Sequence, residues 1–394
     1  MIKELTIRNF KAIKDLKLQF TPMTILIGEN SCGKSTVLQA LDFLASITYR
    51  DIDEYLKDRD WSYDEIKSKF AGAEDSISFL SSFEFSDHKL FWEIDIKNEA
   101  DKWIIKEQIT DKINGECLLS SGYGDDRPHE FSMLNIKSSA LKMIGHNLTA
   151  DFRLESLDRL KQTLNSIQSL ELLTPEIMRN RDRNPARRPQ KNIGRNGEKL
   201  YAYIDTLSDE QKIKMNAILS ELIGYEVCVD TEYPFNNEVE LKFHEGWGNG
   251  AFNIKGQYIS DGLLRLIAYV AIIAGSGNKN NHLPAPVYKE IFLIDEIEDG
   301  INPEITEKLI NTLKGFIRET GCQIIVTSHS PVILNYFDDD SIQFMWRDEL
   351  GIIRAKPMFQ TKAMKEHLDY MNPGEIWLNF AKETILEKLT ELPV

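Results

Sequence analysis

The chain has 394 residues, of which 42% are hydrophobic and 10% aromatic, and its formal net charge is −15. This composition excludes a disordered protein and supplies enough apolar residues for a large core in one or two domains. The acidic balance excludes binding of nucleic acid by the surface as a whole, so such binding would need a local basic patch.

Hydrophobic patterning excludes a membrane anchor. No apolar run reaches the roughly 18 to 20 residues that a membrane helix needs, and the opening MIKELTIRNF lacks the apolar region of a signal peptide. The four cysteines, Cys32, Cys117, Cys228 and Cys322, form no C-x-x-C pair, which argues against a disulfide framework and a zinc site. We therefore expect a soluble, cytoplasmic protein with reduced thiols and no membrane contact.

Two short strand-like segments open the chain, Ile2 to Ile7 and Leu16 to Phe20. Strands placed before a phosphate-binding loop would form a sheet edge over a nucleotide base. Lys11, between the two segments, is a candidate to contact that base, and a plain surface lysine is nearly as good an interpretation.

The stretch MTILIGENSCGKST, from Met23 to Thr36, has the spacing G-x-x-x-x-G-K-[ST] between a strand-like run and a helical one. This context predicts a P-loop whose backbone N–H groups and helix N-terminus bind phosphate. Lys34 would reach the β and γ phosphates of ATP, and Ser35 would bind Mg²⁺. The alternative is a glycine loop that caps an ordinary helix. The predicted ATP-binding residues are Gly28, Glu29, Asn30, Ser31, Cys32, Gly33, Lys34, Ser35 and Thr36.

After a charged surface element at 51–70, the hydrophobic period changes to two from Ser76 onward, which predicts an antiparallel meander. Helical spacing at 151–173, 198–206 and 208–223 indicates an inserted, largely helical arm. We predict residues 1–124 and 226–394 as the two parts of one nucleotide-binding domain, and residues 125–225 as the arm. Near the end, a hairpin is expected at 341–355 and a closing helix at 374–389.

Within the arm, the segment from Arg179 to Lys199 contains six arginines and two lysines against Asp182 and Glu198. Arginine forks match phosphate oxygens, and a flexible basic loop can order on a nucleic-acid backbone. DNA or RNA is thus one candidate partner. An acidic surface of a partner protein and a solvated loop are the other interpretations that we keep.

Three further segments place polar residues where ligands bind. Ser260 and Gly262 precede an apolar helix, which makes a second anion site. Asp295 and Glu296 follow the buried run Ile291 to Ile294, so Asp295 would hold Mg²⁺ and Glu296 would orient and deprotonate water. His329 follows a third buried strand and would contact the γ-phosphate or the water. The alternatives are a plain strand end and a structural histidine.

These segments resemble the ABC-type ATPases of the RecF, SMC and overcoming-lysogenization-defect (OLD) group, commonly labelled AAA-family ATPases. The resemblance rests on GENSCGKST, on the signature-like ISDGLLRLIAYVAII, on the Walker B run IFLIDEIEDGINP and on the switch VTSHSP, in that order. It implies an α/β fold, a P-loop NTPase of the ABC-ATPase type with an antiparallel β lobe and the inserted helical arm.

The resemblance also implies that Ser260 and Gly262 contact ATP bound to the opposite protomer, so that two ATPs join a homodimer, or a higher oligomer, head to tail. Asp261 replaces the middle glycine of the transporter signature, and Asn302 stands in place of an aspartate of the D-loop. A Q-loop glutamine is not assigned. Cys32 makes ATP binding a candidate for inhibition by thiol alkylation.

The resemblance leaves three functions to consider. The first is an Mg²⁺-dependent ATPase that acts on DNA or on a separately encoded effector, a nuclease or toxin, in phage defence or DNA repair. The second is an ATP-dependent scaffold that sequesters such an effector without binding DNA. The third, an ATPase subunit of a transporter, fits poorly because of the inserted meander. The stretch after His329 is too short for a Toprim nuclease domain, so we expect no nuclease activity in this chain.

Overall fold

A computed structural model describes residues 1–122, 137–144, 152–171, 173–179, 192–233, 238–247, 250–276 and 289–390. Three sheets and the helices between them form this part of the chain. None of its helices combines the length and the apolar character that are needed to cross a membrane.

The strands are numbered in chain order. They are β1 (Ile2–Phe10), β2 (Ile13–Gln19), β3 (Met23–Gly28), β4 (Ile77–Glu84), β5 (Lys89–Glu99), β6 (Lys102–Asp111), β7 (Glu116–Ser121), β8 (Ile167–Leu170), β9 (Val227–Glu232), β10 (Glu240–Trp247), β11 (Gly250–Lys255), β12 (Ile291–Ile294), β13 (Gln323–Thr327), β14 (Ile342–Arg347) and β15 (Ile353–Pro357).

The helices are numbered in the same way. They are α1 (Lys34–Ser46), α2 (Ile52–Asp58), α3 (Tyr63–Ile66), α4 (Phe152–Asn165), α5 (Pro175–Met178), α6 (Leu200–Asp205), α7 (Asp209–Ile223), α8 (Asp261–Gly275), α9 (Pro303–Thr320), α10 (Pro331–Leu334), α11 (Lys362–Lys365), α12 (Pro373–Asn379) and α13 (Lys382–Thr390). Short 3₁₀ turns lie at Ala140–Met143, Gly256–Tyr258, Asp339–Ser341 and Glu366–Asp369.

The central sheet has the order β15-β14-β3-β13-β12-β8, and all its pairs are parallel except β14 with β15. Both of its faces are covered, because alternate residues of one strand enter different cores. Ile325 packs in the core that contains α1, whereas Ile324 and Val326 pack in the core that contains α8. A strand buried on both faces leaves polar side chains only at its ends.

The second sheet is antiparallel, with the order β2-β1-β4-β5-β6-β7. Its apolar face packs on α1, where the rings of Phe10, Phe43 and Phe79 lie within 6.0 Å of one another, centroid to centroid. A third, three-stranded sheet, β11-β10-β9, lies beside α7. The antiparallel meander, the hairpin β14–β15 and the helices α6 and α7 agree with the predictions.

Two segments differ from the prediction. Residues 151–173 do not form one helix, because α4 ends at Asn165 and β8 follows as the edge strand of the central sheet, parallel to β12. This four-residue strand lies within the range 125–225. The predicted closing helix is divided at Phe380 into α12 and α13. The boundaries of the arm itself remain a prediction.

Gln323 joins the antiparallel sheet to the central sheet. Its buried amide accepts a hydrogen bond from the backbone N–H of Ile2 at 2.9 Å and donates to the carbonyl oxygens of Ile2 at 2.8 Å and Thr21 at 3.0 Å. Three backbone groups, two of them buried, therefore depend on one side chain. This contact fixes β1 beside the start of β13.

We expect Gln323→Leu to lower the free energy of unfolding by about 3 kcal/mol, because an apolar side chain of similar size leaves those backbone groups without partners. Urea denaturation followed by circular dichroism measures the change. The control is Gln19→Leu at an exposed position of β2, where a change below about 0.5 kcal/mol is expected. Equal stabilities of the two variants would contradict this role of Gln323.

Candidate functional site

The predicted P-loop lies between β3 and α1, and its backbone explains both glycines. Gly28 has φ 150° and Gly33 has φ 90°. A Cβ at Gly28 would lie 2.1 Å from the carbonyl oxygen of Met345, and one at Gly33 would lie 2.5 Å from Cδ1 of Ile353. A side chain at either position would displace the loop, so the loop keeps its shape only with glycine.

The buried ammonium group of Lys34 lies inside this loop. Its Nζ donates to the carbonyl oxygens of Gly28 at 2.8 Å and Glu29 at 3.1 Å. The loop is also fixed from outside, by Arg347, which donates to the carbonyl of Ser31 at 2.9 Å, and by Lys382, which pairs with Glu29 at 3.2 Å. The amine therefore lies where the oxygens of a bound triphosphate would replace the carbonyl oxygens of Gly28 and Glu29 as its hydrogen-bond acceptors.

The thiol of Cys32 points into the protein. It is 1% exposed, and its Sγ would lie 2.7 Å from a Cβ at Gly28. Burial raises the pKa of this thiol, which lowers its thiolate fraction. An alkylating reagent would therefore reach the exposed thiol of Cys228 more easily than the buried thiol of Cys32. This argues against the expectation that alkylation of Cys32 inhibits ATP binding.

Asp295 and Glu296 follow β12 at the same edge of the sheet as the P-loop, and Thr327 at the end of β13 connects them. The Thr327 hydroxyl accepts the backbone N–H of Glu296 at 2.9 Å and donates to the Asp295 carboxylate. Glu296 has φ 47°, a left-handed conformation that costs a non-glycine residue free energy. The hydrogen bond from its N–H holds the strained residue in place.

The environment of Asp295 suits a magnesium ion. Burial raises the pKa of Asp295, the charge of Glu296 adds to the shift, and hydrogen bonds from Thr327 and Ser35 oppose it. A bound cation would favour the charged form of this carboxylate. Ser35 and Asp295 would supply two oxygen ligands, and Mg²⁺ uses few protein ligands beside phosphates and water. Among the described residues no group of three or more His, Cys, Asp or Glu side chains is arranged to hold a metal.

His329 follows β13 and contacts the acid of the neighbouring strand, with its Nε2 2.7 Å from Oε1 of Glu296. Glu298 holds the backbone around it. Oε1 of Glu298 accepts hydrogen bonds from the Ser328 hydroxyl and the His329 N–H, both at 2.8 Å, and from the Ser330 N–H at 3.1 Å. Thr327 and Glu298 were not predicted as site residues, because nothing in the sequence distinguishes them from strand and turn residues.

Glu171 is a further acid that the sequence did not indicate. It follows β8, and Leu170 pairs with Ile294, so Glu171 and Asp295 lie side by side at the ends of parallel strands. Its buried carboxylate pairs with Arg59 at 2.8 Å. Thr327 is the last residue of a central strand, and Glu171 and Glu298 lie one and four residues past one, so a position near a strand end is the only sequence signal that they share.

Lys11 lies against α1. Its Nζ donates to Oε1 of Gln39 at 2.7 Å and lies 3.5 Å from the centroid of the Trp61 ring. Burial lowers the pKa of Lys11 to about 8. Gln39 also lines the cleft that Ser35 and Asp295 border, so Lys11 lies behind the cleft wall. A contact between Lys11 and a nucleotide base remains a prediction.

The signature residues Ser260 and Gly262 begin α8, with Ser260 as the N-cap residue. A Cβ at Gly262 would lie 1.8 Å from the carbonyl oxygen of Gly300, so the start of α8 touches the turn that follows the acids. In the same turn Asn302 caps α9 by accepting the N–H of Glu304 at 2.9 Å. This cap explains an asparagine at that position.

A cleft of about 450 Å³ lies between α1, the acids and the start of α8. Six acids border it, Glu171, Glu176, Asp261, Asp295, Glu296 and Asp299. Arg265 is the only base among the described residues that line it, and it pairs with Asp299 at 2.7 Å. Of the basic segment 179–199, the structure describes Arg179, Arg195 and Lys199, while Arg181, Arg183, Arg187, Arg188 and Lys191 lie outside the described residues.

The sequence is similar to a protein family and to two longer proteins. Residues 23–335 match a family described as "AAA domain, putative AbiEii toxin, Type IV TA system". The Septu protein PtuA of Bacillus mycoides is 23% identical over 368 residues, which cover 88% of this chain and 41% of that protein. An OLD nuclease of Thermus scotoductus is 20% identical over 367 residues, or 88% of this chain and 62% of the nuclease. The chain thus spans less than two thirds of either relative.

Solved structures agree on the fold. An Smc head bound to the C-winged helix domain of ScpA has a TM-score of 0.56 at 16% identity, covering 92% of this chain and 99% of that one. A second Smc head, with an extended coiled coil, has a TM-score of 0.51 at 15% identity, covering 93% and 98%. These likenesses confirm the ABC-type P-loop fold, and the chain belongs to the AAA domain family named above, as an ABC/AAA-type P-loop ATPase of the RecF, SMC and OLD group.

Proposed function

We propose that this protein binds ATP with Mg²⁺ at the P-loop and hydrolyses it, with Glu296 as the general base. The observation that carries the proposal is the meeting of three strand ends, where Lys34, Asp295, Glu296 and His329 all lie at one edge of the central sheet. Phosphoryl transfer to water needs little covalent chemistry from a protein, and it is accelerated by position and charge.

Each side chain has one task in this proposal. Lys34 exchanges its contacts with Gly28 and Glu29 for the β and γ phosphates, and Ser35 and Asp295 would hold a magnesium ion. The ion, when bound, neutralises charge on the phosphates. Glu296 accepts the proton of the attacking water, and His329, 2.7 Å from Glu296, orients the carboxylate and contacts the γ-phosphate.

The second part of the proposal is a head-to-tail homodimer. Ser260 and Gly262 lie at the start of α8, where backbone N–H groups suit a phosphate. They would close the ATP site of the partner, so that hydrolysis is slow until two protomers meet. Higher oligomers are compatible with the same contact.

The third part concerns the pathway. Local matches include the DNA repair protein RecN of Xylella fastidiosa, 40% identical over 48 residues, and the RecF protein of Lactococcus lactis, 42% identical over 45 residues. Together with the Septu protein and the OLD nuclease, these relatives support a role in phage defence or DNA repair. In this proposal the nuclease or toxin is a separate polypeptide, and the ATPase either acts on DNA or controls that effector.

A second candidate is an ATP-dependent scaffold that holds the effector inactive without binding DNA. Two observations favour it. The net charge of −15 repels a polyanion, and Arg179, the first arginine of the basic segment, is already paired with Asp261. The two candidates differ in the response of the ATPase rate to duplex DNA.

Lys34→Ala should weaken ATP binding by about a hundredfold, because it removes a buried charge that would contact phosphate. Titration with a fluorescent ATP analogue measures the affinity. Lys14→Ala, at an exposed position of β2, is the matched control and should bind as the parent protein does. Unchanged affinity in Lys34→Ala would exclude the P-loop as the ATP site.

Glu296→Gln should lower the hydrolysis rate by about a hundredfold or more, since a glutamine cannot accept the proton. ATP affinity should persist, and the bound dimer should accumulate in light scattering. Glu304→Gln, an exposed change on α9, should hydrolyse ATP at the parent rate. Turnover by Glu296→Gln at the parent rate would rule out Glu296 as the base.

If the protein acts on DNA, duplex DNA should raise its ATPase rate, and Arg187→Ala with Arg188→Ala should lower the stimulation. The slope of log affinity against log salt should fall by about 2, because two phosphate contacts are lost. Lys102→Ala with Lys106→Ala removes the same charge from the exposed face of β6 and should change neither. Rates that do not respond to DNA would favour the scaffold.

A further inference from the structure

One arginine forms hydrogen bonds with the residues on both sides of the signature serine. Arg179 follows α5, and its Nη2 donates to the carbonyl oxygen of Ile259 at 2.8 Å and to the carboxylate of Asp261. Ser260 lies between these two acceptors. The pair joins residues 82 positions apart, and the guanidinium is 24% exposed while the carboxylate is 55% exposed.

Asp261 needs this partner because its surroundings are acidic. It borders the same cleft as Glu176, Asp295, Glu296 and Asp299. Arg265, one turn further along α8, is committed elsewhere, since it donates to the carbonyl oxygens of Asp299 at 2.9 Å and Leu173 at 3.1 Å and pairs with the Asp299 carboxylate. Among the described residues, Arg179 is therefore the base that pairs with Asp261.

An unpaired carboxylate at this position would oppose binding of a triphosphate. Like charges a few ångströms apart repel by an amount that is still significant at the effective dielectric of a protein surface. In the head-to-tail dimer proposed above, the residues on both sides of Asp261 approach the ATP of the partner. The carboxylate would then face several negative charges.

We propose that Arg179 is the positioning residue of the signature, which neutralises Asp261 and fixes residues 259–261 so that they can accept the triphosphate of a second copy of this chain. This inference rests on the proposed dimer. It gives the first arginine of the basic segment a role in closing the ATP site, distinct from any contact with nucleic acid.

An alternative is a purely structural ion pair. An acid in the first turn of a helix is stabilising by itself, and a partly exposed ion pair contributes little to stability. A structural pair would change the unfolding temperature. It would not make the effect of removing Arg179 on dimerisation depend on the charge at position 261.

The test uses the full chain in the Glu296→Gln background, in which the ATP-bound dimer accumulates. Arg179→Ala should weaken ATP-dependent dimerisation about tenfold, measured by light scattering against protein concentration. Adding Asp261→Asn to Arg179→Ala should restore the affinity to within about twofold of the parent, because the repulsive charge is gone. The loss in Arg179→Ala should shrink at high salt.

Two controls separate the outcomes. The matched control is Arg159→Ala, which breaks the ion pairs that Arg159 of α4 makes with Asp87 and Glu155. ATP binding by the isolated protomer and the unfolding temperature should be the same in Arg179→Ala as in this control. If Arg179→Ala dimerises as the parent does, or if the double variant stays as weak as the single one, the inference is wrong and the dimer stands. If the parent itself does not dimerise with ATP, the proposed dimer fails, and this inference fails with it.

Discussion

Parallel pairing of β3, β13, β12 and β8 is the constraint on which the site depends. Because their register ends the strands at one edge, residues far apart in the chain meet there: Gly28, Glu171, Asp295 and Ser328. Both faces of β3, β12 and β13 are buried, so most interior positions of these strands are apolar and the polar side chains of the site begin where the strands end. The Thr327 hydroxyl then fixes the two acids after β12 relative to each other.

Most charged side chains that line the site are acidic. Three of the acids have local partners, with Thr327 beside Asp295, three donors around Glu298 and Arg59 beside Glu171. Carboxylates that are removed from water are stable only with such partners. A magnesium ion and the Lys34 ammonium would complete this balance, which links the affinity for the nucleotide to the affinity for the cation.

Local patterns predicted the elements whose chemistry is contiguous in the sequence. The glycine spacing around Lys34 and the apolar run before Asp295 are of this kind, and the fold that they implied is confirmed. Contacts between residues that are far apart in the sequence could not be predicted from local patterns. Nothing near Arg179 indicates Asp261, and the strand β8 lacks the apolar run of a buried strand because it lies at the edge of the sheet. The direction of the Cys32 thiol also depends on Gly28 and Met345, which only the folded chain brings together.

The contact between Gly262 and Gly300 has a mechanical consequence. Two backbones meet there without side chains between them, so the contact contains no rotamers that could absorb a displacement. The beginning of α8 and the turn beyond Glu296 are therefore in direct backbone contact. In the ATPase proposed above, a displacement of α8 on dimerisation would be passed directly to the turn that carries Glu296, and hydrolysis would depend on the position of this helix.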